Sequence, residues 1–375
     1  VWSVAANITT FANPVGAGGV DVTVGVDGLP MLITRNNAGF LYPVTLHCND
    51  PLCRGGDEDD NQWASFPAGL HPSVTIGTDG LPVFAHGWAA GTDLNITHCA
   101  TLDCLQFSGT TKFSTTVRVE YPAIAIGHDG MPVVAFRDAT NGDVRVLKCD
   151  DVQCSTTSAG ETDTLVHSGG ANDVGYYLSM VIGVDGFPII AFHDGTEQSL
   201  KVTHCNDAAC VGGDETTTTA RDAPGSDGNF TAIQIGVDGL PTIAHFDLNA
   251  GDIAVTRCND IACVGGNEPT TMLSSPTNDG WYLDMVLSPE GNPLIASQRS
   301  STADVYLTEC DDPACAGTGE TTTFVDGAGI TVGQDISITL SADGAPLIVY
   351  SDTSNSRLRV ALGAQRGWSQ NSWGG

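Results

Sequence analysis

Asp129-Gly130-Met131-Pro132-Val133-Val134-Ala135-Phe136 is followed, at Cys149-Asp150-Asp151-Val152-Gln153-Cys154, by two cysteines with four residues between them. The chain repeats this pattern. The acidic-Gly-x-Pro turn recurs as Asp27-Gly28-Leu29-Pro30, Asp79-Gly80-Leu81-Pro82, Asp185-Gly186-Phe187-Pro188, Asp238-Gly239-Leu240-Pro241, Glu290-Gly291-Asn292-Pro293 and Asp343-Gly344-Ala345-Pro346, with prolines 50 to 56 residues apart. Each of the first six prolines is followed after 17 or 18 residues by a C-x4-C pair. The remaining pairs are Cys48 and Cys53, Cys99 and Cys104, Cys205 and Cys210, Cys258 and Cys263, and Cys310 and Cys315. Self-similarity at a fixed period of this size marks a repeat architecture.

Within one unit, Ala123-Ile124-Ala125-Ile126 alternates as a strand and runs into Asp-Gly, a hairpin signal. Val133-Val134-Ala135-Phe136 follows the proline as a second strand, and Val144-Arg145-Val146-Leu147 follows an Asn/Gly/Asp turn as a third. The cysteine pair turns the chain into a Thr-rich fourth strand, clearest at Thr216 to Thr219 and Thr321 to Phe324. Helical periodicity is absent. Seven such units predict an all-β, seven-bladed β-propeller with four antiparallel strands (A to D) per blade. An array of separate β-sandwiches is the alternative, but about 50 residues is small for an independent core. The chain resembles secreted microbial propeller-repeat proteins with a DG-x-P turn and one C-x4-C hairpin per blade. That resemblance implies scaffold rather than activity, since one fold hosts many functions.

The seventh unit has strands A to C but ends before a strand D, and Gly363 and Trp368 replace its cysteines. Asn7-Ile8-Thr9-Thr10-Phe11 aligns with Glu320-Thr321-Thr322-Thr323-Phe324. The N-terminal strand is therefore expected to complete the last blade, in its own ring or in a neighbour's by strand addition. The expected division of 1–375 is a closing or exchanged strand at 1–12, seven repeats at 13–362 and a Trp-containing tail at 363–375. Trp2, Trp368 and Trp373 join Asn7 to Phe11 as candidates for assembly or ring closure.

Forty-four Asp+Glu against 14 Lys+Arg give a net charge of −30, and the lysines number three: Lys112, Lys148 and Lys201. Nucleic acid and anionic membrane surfaces are excluded as electrostatic partners, because both need clustered cations. No apolar run approaches the ~20 residues that span a bilayer, and Val1 opens no signal-like segment, so a processed, secreted or cell-surface protein is expected. Each cysteine pair is expected to form a local disulfide, because zinc needs four ligands and neighbouring blades would hold their pairs too far apart. Such staples should protect their own hairpins against fraying rather than join blades. No catalytic residue and no cofactor are assigned. Calcium has one weak candidate, the oxygen-rich Asp57-Glu58-Asp59-Asp60-Asn61, whose spacing matches no EF-hand. Asn7, Asn95 and Asn229 sit in glycosylation sequons.

In a propeller the A–B and C–D turns share one face and the B–C and D–A loops the other. The distance from each second Cys to the next proline varies from 28 to 34 residues, which puts the length variation on the D–A side, where function usually sits. The B strands end on that face at His86, Trp88, Arg137, His193, His245 and Arg299, which form the candidate ligand face. His193 beside Asp194 would be the first general-base candidate. Asp138, Asp194, Asp247 and Asp352 obey the repeat, however, and are expected to cap the B–C turns through the backbone. Ser73, Thr75, Ala123, Ala125, Ser179, Ala232 and Ser337 should face the channel, with Asp21 and Asp284 as the carboxylates at matching positions. No aromatic is found recurring at one surface offset, so a lectin with repeated sugar pockets is not indicated. Thr-rich D edges with few lysines point to self-association. The first expectation is thus a non-enzymatic filament, sheath or surface-layer subunit. A secreted carbohydrate- or protein-binding propeller comes second, and a hydrolase or lyase third.

Overall fold

A computed structural model describes residues 2–3, 8–11, 19–36, 42–54, 59–62, 71–87, 93–114, 116–155, 160–222, 225–273, 279–327 and 329–365. Seven four-stranded antiparallel sheets form the predicted propeller. The inner A strand of each blade packs against the A strand of the next, and that of blade 7 (Val332–Leu340) against that of blade 1 (Val20–Val24), so the ring closes.

The B strands explain why their sequence runs apolar without alternation. Pro132–Asp138 is buried on both faces. Val134 and Phe136 pack towards blade 2, with Val83, Ala85 and Ile96. Val133 and Ala135 pack towards blade 4, with Leu178, Met180 and Phe192. The apolar clusters lie between blades and not within them, so a 50-residue unit has no core of its own and stability belongs to the ring.

The Asp-Gly pair is not the centre of a two-residue hairpin. In blade 1 Gly28 N donates to Gly25 O (2.9 Å), Gly25 N donates to Leu29 O (2.8 Å), and Asp27 Oδ1 accepts from Leu29 N (3.1 Å). The result is a five-residue loop built on a type I turn, with Gly28 at φ 80° in the left-handed region that favours glycine. The second residue of each loop packs over the turn glycine of the next blade: Val26 over Gly80, Val184 over Gly239 and Val237 over Gly291. That contact accounts for three valines which are otherwise more than 60% exposed.

All six C-x4-C pairs are disulfides: Cys48 to Cys53, Cys99 to Cys104, Cys149 to Cys154, Cys205 to Cys210, Cys258 to Cys263 and Cys310 to Cys315. The second cysteine of each pair ends a tight turn. Cys53, Cys104, Cys154, Cys210, Cys263 and Cys315 have φ between 49° and 53°, and each donates its N–H to the carbonyl three residues earlier, at 3.0 to 3.3 Å. That backbone turns the side chain inward, which corrects the expectation that a staple serves its own hairpin alone. All twelve cysteines are buried, and each bridge packs into the apolar seam with the preceding blade. Cys53 lies with Leu347 and Val349 of blade 7, Cys104 with Met31 and Ile33 of blade 1, and Cys210 with Val133 and Ala135 of blade 3. Cys154, Cys263 and Cys315 meet blades 2, 4 and 5 in the same way. The covalent link stays within the hairpin, whereas the sulfurs help to join blades.

The residue before the first cysteine reaches back to the turn aspartate of its own blade. His47 pairs with Asp27 (2.9 Å), His98 with Asp79 (2.9 Å), Lys148 with Asp129 (2.8 Å), His204 with Asp185 (2.7 Å) and Arg257 with Asp238. These side chains tie the two turns of their own blade together.

Ile8–Thr10 pairs antiparallel with Arg357–Leu362 and is strand D of blade 7 within its own chain. Phe11 is buried beside it and donates its N–H to Leu358 O (3.0 Å). Trp2–Ser3 pairs with Ala364–Gln365. Asn7, Trp368 and Trp373 lie outside the described residues. The D strands are also better satisfied than their composition suggests. Thr217 bonds Thr203 (2.7 Å) and Thr270 bonds Thr256 (2.8 Å) across to strand C, while Thr164 and Thr218 donate to carbonyls of the next blade's stapled hairpin, Ala209 O and Cys263 O (2.9 Å each). These threonines join strands and blades. Among the described residues no helix is long and apolar enough to cross a membrane.

Candidate functional site

Eleven residues before the turn proline, every blade has a residue in left-handed backbone: Gly19, His71, Tyr121, Tyr177, Phe230, Tyr282 and Asp335. The six non-glycine residues have φ between 48° and 59°. At or beside this position the A–B pairing slips register in blades 3 to 7, as between Glu120 and Ala123 or Tyr176 and Ser179. Such a bulge re-aims one side chain. His71 in blade 2 shares the left-handed backbone without a slip, and all six side chains line one cavity of about 490 Å³, a size suited to a small ligand.

The rings form an arc. His71 stacks on Tyr121 with centroids 4.5 Å apart, and Tyr121–Tyr177, Tyr177–Phe230 and Phe230–Tyr282 follow at 5.4, 4.4 and 4.9 Å. Asp335 completes it, accepting from Gly19 N (2.8 Å) with its other oxygen 3.9 Å from His71 Nδ1. Burial holds His71 below its ordinary pKa and hence neutral, and raises Tyr121, Tyr177 and Tyr282, so the phenols keep their protons.

Two residues along each A strand lie Asp21, Ser73, Ala123, Ser179, Ala232, Asp284 and Ser337; of the channel-facing set expected from sequence these line the cavity except Ala232, and Thr75 and Ala125 do not line it. Several serve the joint between blades. Asp21 Oδ2 accepts from Val74 N (2.8 Å), Ser73 Oγ from Ile124 N (3.3 Å), Ser179 Oγ from Ile233 N (3.3 Å) and Asp284 Oδ2 from Ile338 N (2.9 Å). The two carboxylates do more. Although on non-adjacent blades, both reach Ser337 Oγ, at 2.9 Å from Asp21 and 3.2 Å from Asp284. They face the channel, half-buried, and desolvation raises Asp21 and pushes Asp284 up to about 7 against the hydrogen bonds that favour the charged form.

Among the described residues the side chains at the B-strand ends are taken up by contacts inside the fold. His86 and His245 are buried, and burial takes them down to about 4 and about 3. His245 Nδ1 accepts from Gly228 N (3.2 Å) and Nε2 faces Thr256 Oγ1 (3.1 Å). His193 donates from Nδ1 to Asp227 O (2.5 Å) and is 5% exposed, with burial lowering it. Arg137 lies over Tyr176 and bonds Glu120, Asp173 and Val174 O, while Arg299 grips Asp279 with two bonds (2.5 and 2.7 Å) and lies over Tyr306. Trp88 is outside the described residues. The aspartates do cap the B–C turns: Asp138, Asp194, Asp247 and Asp352 each accept backbone N–H groups two or three residues ahead. Position four after the proline (Thr34, His86, Phe136, Phe192, His245, Ser297 and Tyr350) is fully buried core.

The expectation that no aromatic recurs at one offset is overturned. Four aromatics and a histidine stand at a constant eleven residues before the proline. The signal lay upstream of the A strand, in a stretch that reads as loop because the bulge breaks its alternation.

For cations, the stapled hairpin of blade 6 brings carboxylate oxygens of Asp311, Asp312 and Glu320 within 4.8 Å of one another. Of the earlier calcium stretch, 57–58 and the side chains of Asp59, Asp60 and Asn61 lie outside the described residues. Asn95 is 5% exposed within strand C of blade 2, so its amide is closed to a glycan in the folded chain. Asn229 donates to Ser226 O (3.3 Å) and Oγ (2.9 Å).

No family model matches the chain, and no curated protein does. Solved structures do. The BP39L lectin from Burkholderia pseudomallei is similar over 90% of this chain and 97% of its own, at 11% identity and TM-score 0.58. The polysaccharide lyase Uly1 is similar over 94% and 91%, at 13% and 0.57. Hydrazine synthase from Kuenenia stuttgartiensis is similar over 94% and 96%, at 12% and 0.58. At such identities the likeness is one of fold, and propellers of this shape serve binding and catalysis alike.

Proposed function

We propose that the chain is an extracellular or periplasmic carbohydrate-binding propeller whose ligand enters the axial mouth. The observation that carries this reading is the arc of rings at left-handed positions. Glycine is the cheapest residue there and stands once, at Gly19, whereas bulky residues at positive φ cost on the order of 1–3 kcal/mol each. Rings retained against that cost, half-exposed around a cavity, suit a ligand with flat apolar faces. The C–H faces of a pyranose are such a ligand, and the hydroxyls and carboxylates below the arc offer partners to its hydroxyl groups. Six disulfides fit the oxidising location. A glycan array followed by calorimetry tests the reading: Tyr121→Ala and Tyr177→Ala should each weaken binding at least tenfold, and an unchanged affinity in both would end it.

One observation favours a hydrolase as second reading, namely two carboxylates converging on Ser337 with Asp284 pushed up to about 7. Their backbone hydrogen bonds weigh against it. Turnover of any bound glycan, lost in Asp284→Asn, would promote it. The filament reading loses strand exchange as a route to a polymer, because the N-terminal strand pairs within its own chain.

A further inference from the structure

We propose that the axial mouth selects a sugar bearing a free protonated amine, as in a 2-amino-2-deoxy pyranose, through the Tyr and Phe faces of the arc and the carboxylates of Asp21 and Asp284 below it. This rests on the reading of the mouth as a carbohydrate site and adds the chemical class.

Charge is the first argument. Among the described residues the lining includes three aspartates, Asp21, Asp284 and Asp335, and neither lysine nor arginine. Uronates, sulfated sugars and phosphorylated ligands would meet carboxylates with no cation to receive them. Only Asp335 has compensation nearby, in Arg35, whose charge interacts with it without lining the cavity. Asp21 and Asp284 form no ion pair among the described residues, in a chain where the turn aspartates of five blades are paired with a His, Lys or Arg side chain.

The second argument is a shortage of hydrogens. Ser337 has one hydroxyl hydrogen and two carboxylate oxygens within reach, at 2.9 and 3.2 Å. One of those contacts therefore lacks a donor unless a carboxyl holds a proton or a cationic N–H group arrives. An ammonium brings three donors and a charge. The third argument is the arc itself, since aromatic faces attract ammonium groups, more strongly as water is excluded.

Titration calorimetry of the full chain with β-1,4-linked tetramers of glucosamine, N-acetylglucosamine and glucose separates the possibilities, because acetylation removes the charge and keeps the ring. The glucosamine tetramer should bind at least tenfold tighter than the other two. That preference should fall to threefold or less in Asp284→Asn, and likewise in Asp21→Asn should the first variant fail to fold. It should also shrink when salt is raised from 50 to 500 mM. Equal affinity for the three tetramers overturns the amine and leaves the carbohydrate reading standing. Binding of none of them, with a neutral glycan of another kind captured on the array, also overturns the amine, whereas binding of no glycan at all overturns both.

Discussion

Asp284 Oδ2 lies 3.2 Å from the hydroxyl of Ser337, on the next blade round the ring. The same hydroxyl is 2.9 Å from Asp21, so Asp284 competes for a hydrogen that another carboxylate already attracts. Burial, with the nearby Asp21 carboxylate adding to it, raises Asp284 from 3.8 to about 7. The folded chain thus binds a proton more tightly than the unfolded chain, where a free aspartate titrates near 4. Stability from this group is fully present below about pH 4, falls as pH rises and is lost above about pH 7. Asp284→Asn removes the titration while keeping one amide oxygen as acceptor. Thermal melts from pH 4 to 8 should show the wild type losing on the order of a few kcal/mol relative to Asp284→Asn; parallel curves would mean that Asp284 titrates normally.

The disulfides constrain one hairpin at a time. Each closes a sequence separation of 5, for which the chain-entropy estimate is about 2 kcal/mol. Replacing Cys258 and Cys263 together by alanine should lower stability by at least that amount, because the buried sulfurs also leave their seam with Ile189 and Val202 of blade 4. The fold should stay intact by circular dichroism. Reducing all six bridges removes a sum comparable to the ~5–15 kcal/mol that stabilises a whole domain. The fully reduced chain is therefore expected to unfold at 25 °C, and retention of a cooperative melt in reductant would show that packing between blades suffices.

Closure of the ring depends on a short strand anchored by one aromatic. Phe11 is 7% exposed among Val22, Leu32 and Leu347, where blades 7 and 1 meet. Phe11→Ala should cost about 3–5 kcal/mol, and deletion through Phe11 should give an unstable monomer with blade 7 open. Light scattering that showed a stable monomer of the deleted chain would count against ring closure by this strand.

Fold and site were not equally legible in the sequence. Blade number, strand order, staples and the closing strand follow from residues that obey the repeat, because turn chemistry and cysteine spacing act locally. Spacing could pair Cys53, Cys104 and Cys210 with their partners, but it could not show that their left-handed backbone turns the sulfurs towards the preceding blade. The Asp-Gly turn was visible, yet its partner one residue before the first cysteine was not, since His47, Lys148 and Arg257 share only a polar nitrogen at the end of the side chain. The candidate ligand face at the B-strand ends failed for a different reason: polar residues such as His86 and His245 look exposed in a list, but both faces of a B strand are buried between blades. Alternation placed Asp21, Ser73, Ala123, Ser179, Asp284 and Ser337 at the channel, whereas Thr75, Ala125 and Ala232 do not line the cavity. What alternation could not reveal was the left-handed position two residues earlier, which brings His71, Tyr121 and Tyr177 to one cavity despite their different neighbours in sequence.

That position supplies a test separating a ring kept for a ligand from a ring kept for the fold. Tyr177 occupies φ 52°, where glycine has no steric penalty and tyrosine has one. If its ring served packing, Tyr177→Gly would lose its contacts with Tyr121 and Phe230 (5.4 and 4.4 Å) and destabilise the chain by several kcal/mol, as large-to-small changes in a core do. The ring is only half-buried, so the relief of backbone strain should offset most of that loss. Denaturant melts of Tyr177→Gly are therefore expected to fall within about 1 kcal/mol of wild type, while glycan affinity drops at least tenfold. Tyr177→Ala, which loses the ring but keeps the strained Cβ, should be the less stable of the two with the same binding defect. A Tyr177→Gly chain destabilised well beyond Tyr177→Ala would assign the ring to the fold and remove the support it gives to ligand binding.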